Sequence, residues 1–328
     1  MKTALITGGL GFIGTNIAIK LLNEKRVNRC ILLDNFGGYI NPTRNNFYDY
    51  RKKRLDLISN KIIERCDTTN FKSVSNVINK YKPVLIYHTA ALPLAKLDNI
   101  NSDEARLGSV DSTINIIDSI DLLQNSKKNY KCERFIYISS SMVYGDFQTN
   151  TVNENSPKNP KDIYGIMKLA GEIVTEGVCK LKKVPFTIIR PSAVYGPTDM
   201  NRRVSQIFIE NAFTNKEIII EGKNEKLDFT FIEDLAKGCV LAGTKKQGIN
   251  QIFNITYGKG QSLYSYVLNL KKLIPNLNYK IKPRDETKPS RGTLSIAKAK
   301  KLLGFKPEFS LKKGIKKYFD FLVKNKIF

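Results

Sequence analysis

Lys2-Thr3-Ala4-Leu5-Ile6-Thr7-Gly8-Gly9-Leu10-Gly11-Phe12-Ile13-Gly14 is the stretch on which the fold turns. Its first half reads as a buried parallel strand, and its second bends into a helix whose apolar face continues through Ile17, Leu21 and Leu22. Glycines at 8, 11 and 14 permit a tight turn, a close backbone approach to a pyrophosphate at the helix N-terminus, and helix-on-sheet packing. A lone glycine motif says little. Strand, turn and helix together make Gly8, Gly11, Phe12, Ile13 and Gly14 candidate contacts for a dinucleotide.

Outward from this opening, strands and helices alternate. A strand over 30–33 ends at Asp34, twenty residues beyond Gly14, where a carboxylate accepts both adenosine ribose hydroxyls and repels a 2'-phosphate; NAD is favoured over NADP. Further strands are expected over 61–66, 84–87, 134–138 and 186–190, with helices over 71–81, 102–123 and 162–182. This spacing predicts right-handed crossovers and a Rossmann-type doubly wound parallel sheet, an α/β fold that binds ligands beyond the carboxyl ends of its strands. Gly8, Asp34, Asp67, Ala90 and Ser140 all fall there. After Pro191 the elements shorten, with strands expected over 218–221, 228–232 and 251–255. We therefore expect a nucleotide-binding domain over 1–190, a strand near 251–255 returning to it, and a smaller α/β lobe over 191–328.

Tyr164 and Lys168, four residues apart, project from one face of the helix over 162–182, which is expected to be amphipathic through Leu169, Ile173 and Val174. Bringing a phenol from ~10 to near 7 takes about 3 units, roughly 4 kcal/mol, and an ammonium about 4 Å away in a partly buried site supplies about that much. The pair can then act as an acid/base couple without histidine. Tyr48 and Lys52 share the spacing, but their basic run, Tyr48 to Arg54, lacks an apolar face and reads as solvated surface. Tyr164 differs in context, because a strand ending in Ser139-Ser140-Ser141 lies upstream.

Composition narrows the classes. The 328 residues carry a net charge of +24 and are 41% hydrophobic, with no run approaching the roughly 20 apolar residues of a membrane span. The N-terminus enters a strand directly, without the features of a signal peptide, so a cytoplasmic location is expected. Five scattered cysteines read as buried free thiols, and one histidine with no cysteine pair argues against zinc catalysis and Ser-His-Asp hydrolysis. His88 reads as a packed core residue. The lysines are spread through every segment with no aromatic-plus-arginine module, so no nucleic-acid partner is expected, although a positive field draws in a dianionic substrate. A C-terminal stripe of Leu311, Ile315, Phe319 and Leu322 reads as core packing rather than a membrane-surface helix.

Taken together, the chain resembles the NAD-dependent epimerase/dehydratase family of extended short-chain dehydrogenases. The resemblance is carried by Thr7 to Gly14, Leu33-Asp34-Asn35, Cys66-Asp67, His88-Thr89-Ala90-Ala91, Ser139-Ser140-Ser141-Met142-Val143-Tyr144-Gly145 and Tyr164-Gly165-Ile166-Met167-Lys168. Arg190 to Pro197, Asp228-Phe229 with Asp234, and Arg291 followed by Lys301 to Pro307 extend it. It implies that Tyr164 exchanges a proton with a sugar hydroxyl while a hydride passes to or from NAD. It further implies that Lys168 holds the nicotinamide ribose and lowers the tyrosine pKa, and that Ser140 hydrogen-bonds the same sugar oxygen. Asn35, Asp67, Thr89, Ala90, Ala91, Ser139 and Pro191 become further cofactor contacts. Ser141, Met142 and Arg291 become substrate contacts, Arg291 as the fork that grips a diphosphate.

The departures are as informative. Ser141-Met142 stands where the 4,6-dehydratases of the family carry an acid pair, and methionine cannot transfer a proton. Ala193 and Leu227 replace an Asn and an Arg that contact substrate, and Ser109 replaces a cofactor-contacting Asn. Arg202 and Arg203 either restore the missing phosphate contacts or are plain surface charges. The resemblance thus implies a 4-epimerase of a nucleotide-diphosphate sugar, with a UDP-sugar expected and the family's homodimer as its assembly. A 4-keto sugar reductase or dehydrogenase on the same residues is the alternative, and a non-catalytic NAD-sensing protein is the reading from another class.

Overall fold

The computed structural model describes residues 1–37, 50–91, 101–200 and 203–325. Its centre is a sheet of seven strands: β1 (Thr3–Thr7), β2 (Arg29–Asp34), β3 (Lys61–Arg65), β4 (Leu85–His88), β5 (Arg134–Ile138), β6 (Phe186–Arg190) and β7 (Gln251–Asn254). The order is 3-2-1-4-5-6-7 and every neighbouring pair is parallel. The expected doubly wound sheet is therefore present, with its change of direction between β1 and β4, where such sheets open a crevice at their carboxyl ends.

Alternation along the strands divides the core between the two faces. Ala4, Ile6, Leu32, Leu85, Tyr87 and Ile136 join one apolar cluster, while Leu5, Ile31, Leu33, Ile86, Phe135 and Tyr137 join the other. A fully buried side chain of this kind contributes about 1.5–3 kcal/mol, which fixes the register that brings the strand ends level.

Several elements differ from expectation. The helix expected over 102–123 is Ser102–Arg106, a π-helical turn Leu107–Asp111, then Ser112–Ser126. Its π turn packs against the helix Ile163–Leu181, where Gly171 lies so close to Tyr137 that a Cβ would meet the phenol oxygen at 2.2 Å. The strand expected over 228–232 shortens to Thr230–Phe231 because Ile232 opens the helix Ile232–Thr244. That helix lies against Phe12–Asn23 and leads into β7, so the returning strand brings a covering helix with it.

The helix Ile163–Leu181 does not bury the face expected of it. Its buried residues are Gly165, Lys168, Gly171, Glu172, Thr175 and Cys179, whereas Ile173 is 66% exposed. The run before it also needs correction. Tyr48 lies outside the described residues, but Arg54, expected at a solvated surface, is buried in the helix Tyr50–Asp56. The C-terminal helix Leu311–Lys324 packs as expected, burying Leu311, Ile315 and Leu322, with Phe319 half-buried against Phe213. All five cysteines are free and buried.

Candidate active site

The glycine turn is shaped by what it lacks. Gly8 sits at φ +62, and a Cβ there would lie 2.9 Å from the Ala90 nitrogen; on Gly14 it would lie 2.5 Å from the Gly8 carbonyl. Gly11 begins the helix Phe12–Asn23 without a side-chain cap, and no acidic residue occupies the first turn. The N–H groups around Phe12 and Ile13 thus meet no side-chain acceptor, and a phosphate is the acceptor they suit.

Around this turn the strand ends are tied together. Asp34 Oδ2 accepts from the Leu10 N–H at 3.1 Å and Oδ1 from Phe36 N–H at 2.9 Å. Asn35 reaches Asp67, whose other oxygen accepts from Thr69. These hydrogen bonds outweigh burial and hold the Asp67 carboxyl below its usual range. Thr89 donates to the Thr7 carbonyl at 2.5 Å, and the Ala90 N–H donates to Thr7 Oγ1 at 3.2 Å, which places the half-buried Thr89-Ala90-Ala91 turn beside the glycines. His88 is a core residue, as read. Its ring bonds Thr7 and Ser112, and burial, with Lys168 nearby, pushes it down to about 3.

The reacting end is built at the mouths of β5 and β6. Asp162 caps the helix Ile163–Leu181 through Gly165 N–H at 2.7 Å, which aims Tyr164 and Lys168 at the Ser139 to Tyr144 turn. Ser140 caps that turn through Met142 N–H, and its side chain lies close enough to Tyr164 to favour the ionised phenol. The electrostatics differ from expectation. Lys168 Nζ donates to the Ile138 carbonyl at 2.8 Å and sits 5.9 Å from the Tyr164 ring centre, and it does not lower the phenol pKa. Burial raises the Tyr164 pKa, Asp162 adds to the rise, and Arg203 and the nearby Ser140 side chain oppose it. The ammonium is drawn to a strand-end carbonyl, so Arg203 is the cation that acts on the phenol. Lys168 itself is pushed down to about 8 by burial, against the pull of Glu172.

Glu172, missed in the sequence, continues the Tyr164 and Lys168 face by one more step of four. It accepts from Ser139 Oγ at 2.5 Å and from Arg190 Nε and Nη2 at 2.9 and 2.6 Å. The Ser139 hydroxyl is thereby turned into the scaffold, leaving its backbone rather than its side chain for a cofactor. Arg190 continues to Tyr144, which donates to Asn254 on β7. The spacing of Glu172 was the available signal.

On the substrate side, Ser141 and Met142 are buried, Ser141 N–H donates to the Pro191 carbonyl at 2.8 Å, and Arg291 Nη1 points at the Met142 sulfur at 3.6 Å. The Nε atoms of Arg203 and Arg291 are buried without an acceptor among the described residues. Burial pushes Arg291 down to about 10, and Arg203 adds to the fall against Asp162 and Glu225. Arg202 lies outside the described residues.

With this geometry in view, the comparisons decide the family. The family model described as NAD dependent epimerase/dehydratase matches residues 4–256. The chain belongs to that family. Among its relatives, a putative UDP-glucose 4-epimerase of Methanocaldococcus jannaschii is 31% identical over 98% of both chains. The human dTDP-D-glucose 4,6-dehydratase is 26% identical over 99% of this chain and 91% of its own. The UDP-glucuronic acid 4-epimerase of Bacillus cereus, solved with UDP-glucuronic acid and NAD, superposes with a TM-score of 0.86 at 25% identity, covering 98% of this chain and 99% of the other. NAD is the family's cofactor, and the uncapped helix with its bare glycine cradle fits it. No helix among the described residues is long and apolar enough to cross a membrane.

Proposed function

We propose that the protein is an NAD-dependent nucleotide-sugar 4-epimerase acting on a UDP-sugar, with 191–328 as the main substrate-binding lobe. The observation that carries this reading is the Ser141-Met142 step. Where dehydration needs an acid beside Ser140, the chain presents a buried thioether facing Arg291, so a 4-keto sugar formed here meets no proton-transferring group at that position. Arg203 and Arg291 supply the positive end that a diphosphate requires.

In this reading Asp34 accepts the adenosine ribose hydroxyls, the helix N–H groups hold the pyrophosphate, and Asn35, Asp67, Thr89, Ala90, Ala91, Pro191 and the Ser139 backbone line the rest. Bound NAD supplies a reversible hydride acceptor. Tyr164 takes the proton of the sugar hydroxyl at its phenol oxygen and later returns one, Ser140 orients that hydroxyl, and Lys168 holds the nicotinamide ribose. A protonated Tyr164 in the ligand-free site suits the returning step; the outgoing step draws on Arg203 and the ligands themselves. Ile166, Ile173 and Leu122 leave apolar surface on neighbouring helices, which supports a homodimer; light scattering should give twice the 37.2 kDa chain mass. A cytoplasmic location is consistent with this chemistry.

The test is turnover of UDP-glucose or UDP-glucuronic acid without added nicotinamide, followed by NMR. An epimerase interconverts the C4 isomers with its resident NAD, and Tyr164→Phe lowers that rate about a thousandfold with NAD still bound. A strict requirement for added NADH or NAD would instead identify a reductase or dehydrogenase.

A further inference from the structure

Arg54 joins two loops that the activity keeps apart. Its Nη2 donates to the Leu10 carbonyl at 2.7 Å and its Nη1 to the Thr198 carbonyl at 2.7 Å. Leu10 belongs to the glycine turn and is held from its other side by Asp34, through its N–H. Thr198 belongs to the turn after Gly196-Pro197, in which the Asp199 N–H donates to the Gly196 carbonyl at 3.2 Å. One buried guanidinium thus closes a line from Asp34 through Leu10 to the substrate loop, and its planar fork suits two carbonyls at once.

The Thr198 end of the line is strained. At φ +71 a β-branched residue stands in a region that side chains of this kind rarely adopt. Such a conformation persists when the surroundings hold it, and the carbonyl held by Arg54 belongs to that same residue.

We propose that Arg54 is a positioning residue that passes cofactor occupancy of the glycine turn to the substrate loop. When NAD fixes the turn, the Leu10 carbonyl is fixed with it, the guanidinium loses freedom, and Thr198 is held in its strained posture, which readies the substrate loop at Thr198, Asp199 and Met200. What the loop then grips rests on the sugar-nucleotide reading; what NAD does to it is measured without any sugar nucleotide.

The experiment is amide hydrogen exchange by mass spectrometry on the full chain, stripped of nucleotide and then refilled with NAD. In the unaltered protein NAD should slow exchange at Thr198, Asp199 and Met200 roughly fivefold, about what one hydrogen bond confers. Arg54→Met should abolish that slowing while NAD still protects the helix Phe12–Asn23. Arg54→Lys, a single-point donor, should keep only part of it, and it serves alone if the Met variant does not fold. Equal slowing in the unaltered and substituted proteins, or none in the unaltered one, overturns the proposal. UDP binding measured by calorimetry on the same samples separates the two readings: no UDP binding sinks the sugar-nucleotide assignment and leaves the Arg54 result standing.

Discussion

Two arginines mark two kinds of interior. Arg190, at the end of β6, is enclosed and doubly bonded to the Glu172 carboxylate, with Tyr144 on its remaining side. Burial works against its charge, but Glu172 outweighs burial and holds the guanidinium above its ordinary value. Arg291 has a methionine sulfur as its hydrogen-bond contact and no carboxylate in ion-pair reach among the described residues, and burial lowers it, with Arg203, against the more distant pull of Asp162 and Glu225. A guanidinium cannot shed its proton at ordinary pH, so a buried one is either paired within the fold or left for an anion from outside. Arg190 is scaffold, and Arg291 is the one we propose as a binding group.

Breaking the paired region should have the largest effect. Glu172→Gln preserves shape but leaves Arg190 unbalanced, which costs about 3–5 kcal/mol. A fall of that size in denaturant-measured stability is expected, and combining it with Arg190→Met should return most of the loss. A single variant as stable as the unaltered protein would mean that the pair is not the scaffold described.

The unpaired region should respond in the opposite sense. Arg291→Met should raise the KM for a UDP-sugar about a hundredfold, roughly 2.7 kcal/mol, while the melting temperature stays level or rises, because a desolvated cation with no direct carboxylate partner among the described residues has been removed. A loss of stability comparable to that of Glu172→Gln would erase the distinction between the two arginines.

How much of this division was legible follows from what each part is made of. The glycine turn, the strands and Asp34 were readable because backbone freedom calls for glycine at fixed places and strands buried on both faces leave short, nearly unbroken apolar runs with a polar residue at the end. The helix Ile163–Leu181 misled because a hydrophobic pattern is read on the premise that apolar residues face inward. Here Lys168 and Glu172 face inward, and Ile173 faces out. The expected Lys168 effect on Tyr164 failed because the strand-end carbonyl that captures the ammonium has no signature in the sequence. Arg54 was hidden for the same reason, since the Leu10 and Thr198 carbonyls it holds are main-chain oxygens of two loops.

His88 shows a third outcome for a buried ionisable group, and a smaller effect. Buried against Phe135 and Tyr137, with hydroxyls at its ring nitrogens and the Lys168 charge nearby, the ring stays neutral, and its pKa in the fold falls to about 3 from 6.5. A depressed value means stability that is fully present above 6.5 and lost as pH falls toward 3. Between pH 7 and 5 this one group should remove about 2 kcal/mol. As the single histidine, its ring resonances should not titrate above pH 5 while the protein is folded; titration near 6.5 would place the ring in water.

Lys168 lies between these cases, since it is buried, charged and beside the paired region, yet able to give up its proton. Its value near 8 in the ligand-free site is set by burial against the pull of Glu172. In its proposed role the ammonium holds the nicotinamide ribose, so the affinity of the nucleotide-stripped chain for NAD should fall as pH rises through 8 and be about tenfold lower at pH 9 than at pH 7. Glu172→Gln removes the opposing carboxylate and leaves the Arg190 charge nearby, so the same limb should move to lower pH. An unmoved limb would show that Glu172 stabilises the fold without reaching the charge of Lys168, and the scaffold and the reacting helix face would then be electrostatically separate.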